Sequence, residues 1–204
     1  MEDLALVERC RDGDESAFAE LVSRYEHKVY SLAFRMTGNH DDAQDLAQDV
    51  FVKVYHSLNR FRGEASFSTW LYRVASNVCL DSLRRRGRRP AVSLDAASGG
   101  DPSAAGDPRP GPQAAAEANE VQAALQAAIA SLSPQHRAMV VLRDVQGMSY
   151  EEVAYITGCA LGTVKSRLSR ARESLRGTLS RSELFQPYLV QTDEARAKKG
   201  GEKT

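Results

Sequence analysis

The sequence predicts an all-α protein built as two small helical domains joined by a flexible linker. Three observations predict it. Apolar residues recur at spacings of three and four in the long segments on both sides of the chain's middle, and no run alternates with period two for long enough to make a sheet. The stretch from Pro90 to Pro112 holds five of the seven prolines and four of the fourteen glycines among Ser, Asp and Ala, with too little apolar surface to offset the entropy of ordering it. Beyond it, helix caps and glycine stops follow one another at helical intervals. The boundaries expected are a first domain over 1–89, a linker over 90–113, a second domain over 114–181 and a polar tail over 182–204.

In the first domain, 17–36 reads as a helix with Phe18, Leu21, Val22, Tyr25, Val29, Leu32 and Ala33 inward. A second helix, 41–58, buries Ala43, Leu46, Ala47, Val50, Phe51, Val54 and Leu58. A loop follows, and then a helix over 69–86 with Leu71, Val74, Ala75 and Val78 inward; Trp70 continues that buried stripe. In the second domain, Ser133-Pro134 is an N-cap with proline at the first helical position, and Gly147 is that helix's stop. Ser149-Tyr150-Glu151-Glu152 is a capping box opening the next helix, which Gly158 ends. A last helix, about 162–179, buries Val164, Leu168, Ala171 and Leu175. Two helices joined by a tight glycine turn, the second basic on its outer face, make the second domain a helix-turn-helix domain; a plain helical hairpin is the bland alternative.

The composition, 42% apolar and 26% charged over 204 residues, is that of an ordinary globular protein with one sizeable core or two small ones. No apolar run approaches the ~18 residues of a membrane span. The N-terminus has no basic-then-apolar leader, so the expected location is cytoplasmic. Cys10, Cys79 and Cys159 form no CxxC or Cys/His cluster and read as buried reduced thiols. His27, His40, His56 and His136 are scattered, and neither a nucleophile elbow nor a phosphate-binding loop is present. No catalytic residue, metal or cofactor is expected, and the protein reads as a non-enzyme.

The balanced charge hides a pattern. Residues 1–59 carry twelve Asp/Glu against six Lys/Arg, residues 60–89 eight Arg against Glu64 and Asp81, and residues 163–181 six basic side chains against Glu173. Two basic blocks beside an acidic one suggest a surface for a polyanion and another for a basic partner, where the bland reading is solvated helix faces. Asp41, Asp45 and Asp49 line one side of their helix with Gln44, Gln48 and Lys53. Like charges at that spacing repel by a few tenths of a kcal/mol, so the isolated helix gains nothing; a basic protein partner explains the arrangement better than a metal. The stretch Phe61-Arg62-Gly63-Glu64-Ala65-Ser66-Phe67-Ser68-Thr69-Trp70, with its loop over 61–69, leads into a helix bearing Arg73, Asn77, Asp81, Arg84 and Arg85. Aromatics among arginines suit single-stranded DNA, with bases stacked and phosphates paired, or one base held out of the duplex; a core role for the rings is the alternative. On the last helix, Thr163, Lys165, Ser166, Arg167 and Arg170 face outward as a major groove requires.

Together these residues resemble the extracytoplasmic-function branch of the sigma-70 family, and the likeness to its sigma-E type is close. Asp45-Leu46-Ala47-Gln48-Asp49-Val50-Phe51-Val52-Lys53-Val54-Tyr55 is similar to that family's helix for binding core polymerase. Phe61-Arg62-Gly63 through Ala75, with Asn77, is similar to its −10 recognition and melting region. Leu132-Ser133-Pro134, Gly147 through Ala154 and Gly162 through Arg167 are similar to its −35-binding domain. The resemblance spans about 1–181. It implies a transcription initiation factor that recognises −35 and −10 elements and promotes strand opening, in stress responses. Asp45, Gln48, Asp49 and Lys53 would dock on the beta-prime subunit of core RNA polymerase, with the beta subunit also engaged. Phe61, Arg62, Gly63, Ser66, Phe67, Arg73, Asn77, Arg84 and Arg85 would meet the −10 element, and Thr163, Lys165, Ser166, Arg167 and Arg170 the −35 element. An anti-sigma factor, often membrane-bound in this family, is a further implied partner. Two other readings are a stand-alone helix-turn-helix regulator, which leaves the acidic helix and the 61–86 block without a purpose, and a metal-dependent nuclease on Asp41, Asp45 and Asp49, which lacks a positioned base.

Overall fold

The computed structural model describes residues 2–87 and 112–186. All but the end of the expected linker, and the tail beyond Gln186, lie outside these residues. The described part is helical throughout, with no strand. Helix α1 (Glu2–Arg11) went unread in the sequence; it buries only Leu6 and Val7, too few positions to show a period. Its acidic first turn and basic last turn suit the helix dipole. Arg24 reaches back to Asp3 at 2.9 Å and Tyr25 donates its hydroxyl to the same carboxylate at 2.5 Å. Burial and that bond raise the Tyr25 pKa well above its ordinary value.

Helix α2 (Glu15–Thr37) starts on Asp14, whose carboxylate accepts from the Ser16 and Ala17 amides. Hydrogen bonding to the Ser16 hydroxyl and then to Arg9 holds the Asp14 pKa down at about 2. Helix α3 (His40–Ser57) is capped by Asn39 and runs into a 3₁₀ turn, Leu58–Arg60. Helix α4 (Phe67–Gly87) begins inside the expected loop, two residues before the expected helix. Helix α5 (Pro112–Ala130) begins inside the expected linker, two residues before the expected second domain. Helix α6 (Pro134–Val140) has the Ser133 cap and the first-turn proline, then widens into a π-helical turn over Val141–Val145 before Gly147 stops it at φ +71°. Helix α7 (Tyr150–Thr157) carries both bonds of the capping box, with Gly158 at φ +65° in the turn to α8 (Leu161–Leu179). A 3₁₀ turn, Glu183–Phe185, buries Phe185, so the chain after Ser182 is not uniformly a polar tail.

The two halves share one continuous core. The cause lies in α4, which buries Phe67, Thr69, Leu71, Tyr72, Ala75, Ser76, Val78 and Cys79, more than one helical stripe. It contacts α2 and α3 in its own half and α6 and α7 in the other. Cys79 is enclosed completely, and burial pushes its thiol pKa up to about 12. A second joint forms at the end of α2, where Gly38 adopts the left-handed conformation and leaves carbonyls unpaired. Gln126 of α5 donates to the Phe34 and Arg35 carbonyls at 3.4 and 3.2 Å. Arg137 of α6, 7% exposed, donates to the Met36, Ala130 and Leu132 carbonyls. Residues some 90 to 100 positions away in sequence thus complete the cap of α2.

Candidate nucleic-acid interface

Three faces carry the expected site residues. On α3, Asp45, Gln48, Asp49 and Lys53 are all exposed, while Leu46, Val50 and Val54 hold the helix to the core. Asp42 is engaged by Arg86, which ties the start of α3 to the end of α4; Asp45 and Asp49 have no ion-pair partner among the described residues. Val52 and Tyr55 lie on the same outward side at 58% and 53% exposure. The acidic face therefore includes exposed apolar area that sequence reasoning missed, although both residues stand off the Leu46/Val50/Val54 stripe. Among the described residues no three His, Cys, Asp or Glu side chains come together to hold a metal ion.

The second face is the 61–66 loop with α4. Gly63 takes φ +73° there with nothing near its missing Cβ, so the backbone turn alone demands glycine. Ser66 accepts from the Thr69 amide at 3.1 Å and starts α4 as an N-cap does, which leaves it a structural task beside its exposure. The aromatic assignments need correcting. Phe61 and Phe67, expected to offer rings to bases, are 4% and 3% exposed; they meet each other edge-on at 5.8 Å, and Phe67 packs on Tyr25 at 5.5 Å. Trp70, expected in the core, is only half-buried. The loop folds back over the start of α4, so the rings flanking it close inward and the indole is left at the edge. Trp70, Phe61, Arg60, Arg62 and Arg73, with Tyr155 of α7, line a cavity of about 490 Å³, within the range of small-ligand pockets. Arg60 and Tyr155 were not expected there; Arg60 had its signal in the basic block, Tyr155 had none.

Along α4, Arg73, Asn77, Asp81, Arg84 and Arg85 are exposed, the first four at spacings of four, four and three. Arg84 pairs with Asp81 at 3.2 Å. The first turns of the helix are covered by α7 and the turn before it: Thr69 donates to Glu152 at 3.1 Å, Tyr72 to Gln146 at 2.8 Å, and Arg73 lies 5.0 Å from the Tyr155 ring centroid. Burial pushes the Tyr72 pKa up to about 12. The Ser149 amide, with smaller help from the Ser149 and Thr69 hydroxyls, lowers that of Glu152.

The third face is α8. Lys165, Ser166 and Arg170 are exposed; Thr163 and Arg167 are half-buried. Arg167 does not stand fully outward as expected, because its guanidinium leans on the Cys159 sulfur in the turn at 3.2 Å. Lys165 sits 5.9 Å from the Tyr150 ring. Arg172, one of the six basic residues of this block, is held by Asp144, and that bond raises its pKa. Val164, Leu168 and Ala171 form the buried stripe that aims the rest outward. The geometry is a helix-turn-helix with an open basic face, beside a second basic helix and an acidic one.

Comparison with known proteins resolves what unites these faces. The sigma-70 region 2 family model matches residues 21–89 and the sigma-70 region 4 model matches residues 122–175. The chain is 39% identical over 177 residues to the RNA polymerase sigma-H factor of Pseudomonas aeruginosa, across 85% of this chain and 92% of that protein. It is 40% identical over 176 residues to the ECF RNA polymerase sigma-E factor of Escherichia coli K12, with the same coverage. Among solved structures it is similar to CnrH in complex with the cytosolic domain of CnrY, at TM-score 0.64 and 26% identity over 90% of this chain and all of that one. It is also similar to the sigma factor RpoE of Bartonella quintana in complex with the anti-sigma factor NepR, at TM-score 0.60 and 27% identity over 80% and 96%. With both regions matched in order and relatives aligned over nearly their full length, the chain belongs to the extracytoplasmic-function branch of the sigma-70 family of RNA polymerase sigma factors.

Proposed function

We propose that this chain is a cytoplasmic, non-enzymatic initiation factor that docks on core RNA polymerase through α3 and directs it to promoters through α4 and α8. The observation that carries this is the coexistence, on one chain with both sigma regions, of an exposed acidic helix without internal ion pairs at Asp45 and Asp49 and two separate arginine-bearing helix faces. A stand-alone regulator has no use for the first. Asp45, Gln48 and Asp49 meet a basic element of the beta-prime subunit, with Val52 and Tyr55 adding apolar area that is dry once covered. The beta subunit completes the docking.

Arg62, Arg73, Asn77, Arg84 and Arg85 engage the −10 element. The cavity beside Trp70 holds an unstacked base, with arginines on its phosphates. Phe61 and Phe67 shape this pocket from beneath, Gly63 turns the loop and Ser66 fixes the start of α4. Lys165, Ser166 and Arg170 meet the −35 duplex, flanked by Thr163 and Arg167. An anti-sigma factor fits as a regulator, since the similar sigma factor RpoE of Bartonella quintana was captured with the anti-sigma factor NepR. No described helix is long and apolar enough to cross a membrane, so membrane attachment would reside in that partner. The test is transcription in vitro with purified core polymerase on a genomic library, with start-site mapping. Specific starts sharing −35 and −10 elements are the expected result; core polymerase starting identically with and without the chain defeats the proposal.

A further inference from the structure

We infer that helix α1 is a working part of the −10 pocket, with Arg11 and Asp3 as positioning residues that fix the loop before a base enters. This rests on reading the cavity beside Trp70 as the holder of an unstacked base. Helix α1 lies before residues 21–89, which the region 2 model matches, and none of its side chains lines the cavity. Both of its ends nevertheless lead there. Arg11, its last residue, donates to the Leu58 carbonyl at 3.3 Å and to the Phe61 carbonyl. Leu58 opens the 3₁₀ turn, and its carbonyl also accepts the Phe61 amide at 3.1 Å. One guanidinium therefore holds both the start of the turn and the residue that leaves it. Asn59, Arg60, Phe61, Arg62 and Glu64, which follow that first carbonyl, line the cavity.

The other end of α1 reaches the same place through rings. Asp3 accepts from Arg24 at 2.9 Å and from the Tyr25 hydroxyl at 2.5 Å. The Tyr25 ring packs on Phe67 at 5.5 Å, and Phe67 meets Phe61 at 5.8 Å and Trp70 at 5.9 Å. Asp3 thus sets the rings beneath the pocket while Arg11 sets its backbone. The loop has little else to hold it. Among the described residues the backbone of Arg62 to Ala65 makes no hydrogen bond. Its shape follows from its two ends: the Ser66 hydroxyl on the Thr69 amide at one, and Arg11 on the Phe61 carbonyl at the other. Taking a base out of the stack is already costly, and a loop that must be ordered on entry adds to that cost. A loop ordered beforehand by α1 does not.

The test uses holoenzyme assembled with the full-length parent, Arg11→Ala, Arg11→Lys or Asp3→Ala. The templates are a promoter mapped for this chain and copies of it with one abasic site at each non-template position of the −10 element in turn. Helicity and pull-down of core polymerase monitor folding. On the intact promoter Arg11→Ala should slow opening about tenfold and Asp3→Ala less; Arg11→Lys should recover part of the loss, because an ammonium lacks the guanidinium's fork. On the copy that lacks the captured base, the parent should slow and Arg11→Ala should lose nothing further, since an empty pocket gains nothing from a fixed loop. Parent-like opening by Arg11→Ala on the intact promoter overturns the inference. So does a loss that persists undiminished on that abasic copy, which is the mark of a merely structural role. If Arg11→Ala loses helicity or polymerase binding, Arg11→Lys and Asp3→Ala decide by the same comparison. Failure of the base-holding reading shows separately, as a parent that no single abasic site slows.

Discussion

Helices α4 and α8 have similar charge and opposite surroundings. Helix α8 is anchored by a single stripe, Val164, Leu168 and Ala171, and its basic side chains other than Arg167 are exposed. Helix α4 is buried on more than one side through Cys79 and exposes only Arg73, Asn77, Asp81 and the arginines of its last turn. The difference shows that a basic helix becomes a usable nucleic-acid face through what covers it, and that the cover on α4 comes from the same domain that carries α8. The acidic face of α3 sides with α8: nothing among the described residues covers it.

Changes on an open face should act on the free chain at once, and those on the half-covered helix at strand opening. The largest effect is expected at α3. Asp45→Lys with Asp49→Lys should leave helicity intact, because both positions are exposed, and weaken pull-down of core polymerase about 100-fold or more. Retained polymerase binding would remove α3 as the docking face. On α8, Arg170→Ala should cost about 1–3 kcal/mol on −35 duplex with relaxed preference at one position if the contact is to a base edge. If Arg170 meets only phosphate, binding should fall uniformly and the salt slope by about one. Unchanged binding on every promoter excludes it from the site.

Asn77→Ala sharpens the contrast. Asn77 is exposed one turn beyond Arg73, off the buried stripe, so its loss should spare polymerase and −35 binding. Transcription and permanganate-detected melting at −10 should fall roughly tenfold, since a base out of the stack costs a few kcal/mol and needs polar partners. A pre-melted bubble should restore activity only in part, because the opening cost is removed while the lost contact stays lost.

Much of this was legible beforehand. The Ser133 cap, the capping box at Ser149 and Glu152, and the glycine stops at Gly147 and Gly158 are local chemistry, readable without knowing what packs where. The acidic and basic faces followed from helical spacing alone. What escaped depends on tertiary partners. Nothing near Arg137 or Gln126 in sequence points to the carbonyls of Arg35 or Met36, which lack helical partners only because α2 ends there. Phe61, Phe67 and Trp70 are all large and apolar, and which rings turn inward is decided by how the loop closes over α4. Tyr155 gave no signal, because its role is to meet a residue more than eighty positions earlier.

The smallest effect tests whether the shared core makes the halves one cooperative unit. Asp14 caps α2 with a carboxylate whose pKa is about 2 in the folded chain, against about 3.9 in an unfolded one. A depressed folded pKa means that the stability it lends is complete above about pH 4 and is lost as pH falls through about 2, below which both states are protonated. Asp14→Asn keeps an oxygen that accepts from the Ser16 and Ala17 amides but removes the charge that Arg9 meets at 2.7 Å. The parent should therefore melt slightly above the Asn variant at pH 5, and the gap should close by pH 2. The site is exposed, so the gap is small and shrinks with added salt. Trp70, the chain's single tryptophan, reports on the first half, and far-UV helicity reports on both. With one continuous core the two signals should move together at every pH; a tryptophan transition that shifts while most of the helicity holds would mean that the halves unfold separately and that the joint at Arg137 and Gln126 adds no cooperativity.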